Sequence, residues 1–89
     1  MQGSSETGVA KNITASANIK ASQGLLLGFY VNSTSSGTIA LYDDAGTGTT
    51  TALSGTITPA IGFHRFPASF ANGLYAVIGS TLNVTIFYA

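Results

Sequence analysis

Apolar and polar residues alternate from Val9 to Ala21. Val9, Ile13, Ala15, Ala17, Ile19 and Ala21 fall on one parity with Lys11, and Ala10, Asn12, Thr14, Ser16, Asn18, Lys20 and Ser22 fall on the other. A period of two marks a half-buried strand, because successive side chains leave opposite faces of an extended chain. The next run, GLLLGFYVNS, places Leu25, Leu27, Phe29 and Val31 on one face and Leu26, Gly28, Tyr30 and Asn32 on the other. Both faces are apolar, as expected of a central strand or of one whose second face meets another subunit. NSTSSG reads as a turn, and TIALYDD resumes as a strand with Ile39 and Leu41 on one side and Ala40 and Tyr42 on the other. AGTGTTTALSG predicts a loop or weak edge strand. TITPAIG carries Pro59, which removes a ladder donor and predicts an edge or a strand end. FHRFPASFANG predicts a short strand, a turn at Pro67 and a loop ending at Asn72-Gly73. LYAVIGS and TLNVTIFYA predict a closing hairpin joined near Gly79-Ser80, with Leu82, Val84, Ile86 and Tyr88 on one face.

No segment carries a helical period. About seven or eight short strands at spacings near ten residues predict an all-β fold, a small antiparallel β-sandwich of jelly-roll-like or, alternatively, immunoglobulin-like topology. Met1–Gly8 is small and polar and predicts a flexible N-terminal arm. Residues 9–89 are expected to form a single domain.

Composition narrows the function classes. The chain has 89 residues, no cysteine and one histidine, so disulfides, thiolate metal sites and histidine-cluster sites are excluded. A chain this short buries a small core, and small domains commonly rely on partner subunits when disulfides and metals are missing. The charged fraction is 7%, against roughly 25% in an average soluble domain. Three scattered cations, Lys11, Lys20 and Arg65, do not make the basic patch of a nucleic-acid binder. Solubility of a lone chain would rest on its 10 Ser, 12 Thr and 5 Asn. A surface largely covered by other chains fits the low charge better. MQGSSETG has neither the basic start nor the apolar stretch of a signal peptide. No apolar run approaches the ~20 residues of a membrane helix. Synthesis in a cytoplasm, without membrane association, is the expectation.

Candidate chemistry is sparse. Asp43 and Asp44 are adjacent, so alternation sends them to opposite faces, and an oxygen-ligand cation site needs more acids than these. Aspartate is also a turn former, since its carboxylate accepts nearby backbone N–H groups. His64 could act as an acid or base only beside an orienting carboxylate and a nucleophile, and no G-x-S-x-G elbow is present. His64-Arg65 among Phe63, Phe66 and Phe70 has instead the composition of an interface rim. GTGTTT lacks the lysine and following helix of a phosphate loop. Three N-x-[ST] triplets begin at Asn12, Asn32 and Asn83 and follow from the Ser/Thr-rich composition. Tyr30, Tyr42, Tyr75 and Tyr88 suit half-buried sheet edges or subunit contacts better than a sugar platform. The expectation is a non-enzyme without catalytic, metal or cofactor residues, whose interface residues are Leu26, Tyr30, Phe63, Arg65, Phe66 and Phe70.

From Ile19 to Ala89 the chain resembles small β proteins of tailed bacteriophages. The phrases GFYVNSTSSGTIALYD, FPASFANGLY and NVTIFYA carry that resemblance. It is most like capsid decoration, or cement, proteins. The resemblance implies a structural virion protein on the outer capsid surface, a homotrimer that holds neighbouring capsomers of the major capsid protein together. Its alternatives are a head-fibre or tail-fibre tip that binds a host surface glycan, or a small tail or neck protein.

Overall fold

The computed structural model describes residues 8–89; most of the expected N-terminal arm, residues 1–7, lies outside the described residues. The described chain is all-β. It forms β1 (Val9–Ile13), β2 (Ala17–Lys20), β3 (Gly24–Tyr42), β4 (Gly62–Phe70) and β5 (Leu74–Tyr88), joined in one antiparallel sheet of order β1-β5-β3-β4, with β2 also on β5. The long β3 and β5 pair from Leu26↔Tyr88 to Tyr42↔Tyr75. β4 flanks the first half of β3, while β1 and β2 flank opposite halves of β5.

Five strands stand where more were expected, because two of the expected chain reversals are corners. Strand β3 runs through NSTSSG and β5 runs through Gly79-Ser80. Each takes a left-handed residue, Ser36 with φ 56° and Ser80 with φ 55°. They lie at the same level of the sheet, where Ser35 and Ser36 both face Thr81. Such a doubled residue is a β-bulge, which bends a strand and raises its twist without ending it. The flanking alternation breaks at the same level. Val9–Ala21, expected as one strand, divides at a bend over 14–16, and the Ser16 hydroxyl accepts the Ile78 N–H at 2.9 Å.

Gly37 closes the corner. Its N–H donates to Thr34 Oγ1 at 2.9 Å. A Cβ there would press on the Thr81 carbonyl oxygen and come within 2.7 Å of Leu82 Cβ. Gly37→Ala is expected to cost about 1–3 kcal/mol by overpacking. Urea denaturation checks this, and an unchanged midpoint would mean that the corner yields freely.

The bent sheet surrounds its own core. Leu26, Phe29, Val31, Ile39, Leu41, Leu74, Ala76, Leu82, Val84 and Ile86 are all at most 1% exposed and belong to one cluster. Both halves of β3 and β5 contribute. Leu53 and Ile57, from the segment between β3 and β4, pack against it. That segment joins the sheet edge through the isolated bridges Ile39↔Ile57 and Tyr42↔Ala52 and through bonds such as the Leu53 N–H to the Leu41 carbonyl at 2.8 Å, without forming a continuous strand, as its proline and glycines suggest.

Two further irregularities set which residues face outward. Leu26 and Gly28 lie two residues apart, but they face Tyr88 and Phe87 on β5 and Ala68 and Arg65 on β4. β3 is bulged against β5, and β4 is bulged against β3. Pro67 occupies the β4 bulge on an edge strand, where a missing N–H is tolerated; no turn forms there. The β3 bulge turns Leu26 onto the side of Phe29 and Val31, all buried, and leaves Leu25 and Tyr30 each 42% exposed.

Candidate functional site

The outer face of the β5-β3-β4 half-sheet carries the exposed aromatics. Tyr30 pairs with Phe63 on one side and Thr85 on the other, and Gly28 pairs with Arg65 and Phe87. Directly paired residues of antiparallel strands project to the same face, so Tyr30, Phe63, Arg65 and Phe87 surround Gly28. A Cβ at Gly28 would come within 2.9 Å of Phe63 Cζ and 2.6 Å of the His64 carbonyl oxygen. The missing side chain lets Phe63 lie inward toward Phe87, with ring centroids 6.0 Å apart and planes tilted by 59°. Phe63 is still 55% exposed. The strands hold these rings, so covering them costs little side-chain ordering.

A polar group adjoins the aromatics. Asn12 Nδ2 donates to Asn83 Oδ1 at 2.7 Å and lies 3.1 Å from Thr85 Oγ1, and the Thr85 hydroxyl donates to Asn32 Oδ1 at 2.9 Å. These are the asparagines of the three N-x-[ST] triplets. Composition gives the triplets, but antiparallel register gathers them on β1, β5 and β3. Thr85 opposite Tyr30 joins the polar group to the aromatic one.

The interface residues expected from the sequence divide into two sets. Tyr30, Phe63 and Arg65 lie together on the outer face. Leu26 is 0% exposed and Phe70 2% exposed in the chain's own core, and Phe66 is half-buried against that core. The β3 bulge moves Leu26 off the Tyr30 face. Phe66 and Phe70 stand on the opposite parity of β4 from Phe63 and Arg65, and burial alternates without a break from Gly62 to Phe70, so plain alternation already sends them to the inner face. Phe87 was not singled out in the sequence. Its signal was the parity Asn83, Thr85, Phe87, opposite the apolar face of β5.

His64 is held structurally. Its ring stacks on Phe29 at 5.2 Å, and Nε2 lies 2.8 Å from the Ala60 carbonyl oxygen, so that nitrogen carries the proton. Among the described residues no three His, Cys, Asp or Glu side chains come together.

The two aspartates are loop anchors. Asp43 directly follows β3 and reaches across to the β4–β5 turn, where its carboxylate accepts the N–H groups of Ala71, Asn72 and Gly73 at 2.9, 2.8 and 3.3 Å. Successive backbone N–H groups form a concavity suited to an anion, so these oxygens are engaged by donors and not set out for a cation. Asp44 Oδ1 accepts the Gly46 N–H at 2.7 Å, and Asn18 Nδ2 donates to the Asp44 and Gly46 carbonyls.

The Ala71 and Asn72 N–H groups hold the Asp43 carboxyl below its ordinary 3.8, with burial opposing and Gly73 adding to the lowering. A depressed carboxyl contributes stability that is present above the unfolded pKa and lost as pH falls through the folded one. Wild-type stability is therefore expected to decline as pH falls below 3.8. Asp43→Asn is expected to be less stable at neutral pH and to show a shallower acid decline. Denaturation midpoints of both proteins across that range check this; parallel profiles would contradict it.

No protein-family model, curated protein or solved structure matches this chain.

Proposed function

We propose that this chain is a structural virion protein of a tailed bacteriophage. It decorates the outer capsid surface as a homotrimer and ties neighbouring capsomers together. The bent sheet, in this reading, is a flattened β-sandwich of jelly-roll-like strand order. The observation that carries the proposal is the outer face. Tyr30, Phe63 and Phe87 with Arg65 are the residue types that anchor protein interfaces, and the Asn12–Asn32–Asn83–Thr85 group supplies a polar rim. The aromatics are fixed by strands, and Tyr30 and Phe63 are exposed in a chain with almost no charge to keep copies apart. Repeated lattice positions let modest contacts sum to tight attachment.

The test mixes purified protein with capsids lacking it and images the particles. Added density at three-fold positions is expected, together with greater resistance of the shells to bursting. Capsids that emerge bare at saturating protein contradict the proposal.

A second reading rests on the same polar group. Amides and a hydroxyl beside exposed Tyr30 could hold the hydroxyls and ring face of a host surface glycan, as a fibre tip would. Binding on a glycan array that is lost in Tyr30→Ala would favour this reading over decoration.

A further inference from the structure

The chain contains one Asn-Gly pair, Asn72-Gly73, in the turn between β4 and β5. Asn-Gly is the dipeptide most open to spontaneous deamidation, because glycine leaves its own backbone nitrogen unhindered. In that reaction the Gly73 nitrogen attacks Asn72 Cγ. The new N–Cγ bond forms, the Cγ–Nδ2 bond breaks, and the amide leaves as ammonia. Water then opens the cyclic imide to aspartate or isoaspartate. The attacking nitrogen must lose its proton and swing toward its neighbour's side chain.

Here the attacking nitrogen is tied down while the target is not. Asn72 is exposed and Gly73 is buried. The Gly73 N–H donates to Asp43 Oδ1, which also holds the Asn72 N–H. The Asp44 N–H donates to the Gly73 carbonyl at 3.2 Å. Gly73 is packed so closely that an added Cβ would come within 2.6 Å of the Asp44 and Lys20 carbonyl oxygens and 2.7 Å of Ala45 Cα. The carboxylate opposes reaction twice, by fixing the N–H as a donor and by repelling the amide anion that must form.

We propose that Asn72-Gly73 is a latent deamidation site that the Asp43 carboxylate holds closed. Isoaspartate at position 72 would lengthen the turn backbone by one atom and put a second negative charge beside Asp43. The first conversion would thus break the nest that prevented it.

Peptide mapping by mass spectrometry after incubation at mildly alkaline pH tests this. Folded wild type is expected to convert Asn72 roughly tenfold or more slowly than the same protein in urea, the factor set by ~1.4 kcal/mol of local opening. Equal rates overturn the proposal. Folded Asp43→Asn keeps an acceptor but loses the charge, and it is expected to convert Asn72 several-fold faster than wild type, with Asn32-Ser33 unchanged. Folded Asp43→Asn that converts Asn72 at the wild-type rate overturns the role of Asp43. Amide exchange in wild type gives a readout independent of any variant: a slowly exchanging Gly73 N–H supports the lock, and one that exchanges at the unfolded rate refutes it.

Discussion

Phe29→Ala is expected to cost about 3–5 kcal/mol, the range for removing a buried aromatic ring. Phe29 is 1% exposed, sits among Leu26, Val31, Val84 and Ile86, and carries His64 stacked on its ring. The sheet around it is pinned by bulges on both sides, so its ability to collapse into the vacated space is limited. A chain of this length has a total stability of roughly 4–13 kcal/mol, so the variant is expected to lose much of its folded population at mild urea concentrations. Tyr30→Ala, one residue along and on the opposite face, is expected to cost under about 1 kcal/mol. Urea midpoints of the two variants make the comparison, and similar losses would mean that the faces of β3 are assigned wrongly.

Phe63→Asp is expected to separate assembly from folding. Phe63 lies on an edge strand, more than half exposed, against Phe87 and over Gly28. Loss of that single contact should lower fold stability by about 1 kcal/mol. In an assembled protein the same ring would be covered by a neighbouring copy, and a buried carboxylate without a partner is costly. Weakening by at least about 2 kcal/mol per contact is expected, more than tenfold in each association constant. Unchanged circular dichroism with loss of the oligomer is the expected pair of results. A variant as fully assembled as wild type would place the contact elsewhere. Leu26 and Phe70 cannot serve for this experiment, because aspartate at either would unfold the monomer first.

That the chain is all-β and antiparallel was legible, because its signal is periodic. The apolar parity of Leu82, Val84 and Ile86 survives intact in β5, and Ile39 and Leu41 reach the core as their alternation suggests. What the sequence did not reveal was where alternation slips. A bulge shifts every residue beyond it to the other face, and nothing local distinguishes the bulge at Leu26–Gly28 from a regular strand. Two errors follow from this, the assignment of Leu26 to the Tyr30 face and of Pro67 to a turn. Ser36 and Ser80 were misread for a related reason: small polar residues with φ near 56° serve a hairpin and a corner equally well. The site was half legible. Tyr30, Phe63 and Arg65 stood out by residue type. Phe87 and the gathering of Asn12, Asn32 and Asn83 depend on cross-strand register, which is a property of the whole sheet. Asp43 was legible as a loop former, but its partners lie 28 to 30 residues away.

Self-association through the outer sheet face is the central claim, and sedimentation equilibrium of the wild-type protein over a wide concentration range tests it most directly. The expected result is a particle of three times the chain mass, falling to the single-chain mass in Phe63→Asp while the wild type stays assembled. A wild-type protein that sediments at the mass of one chain at every concentration would contradict it.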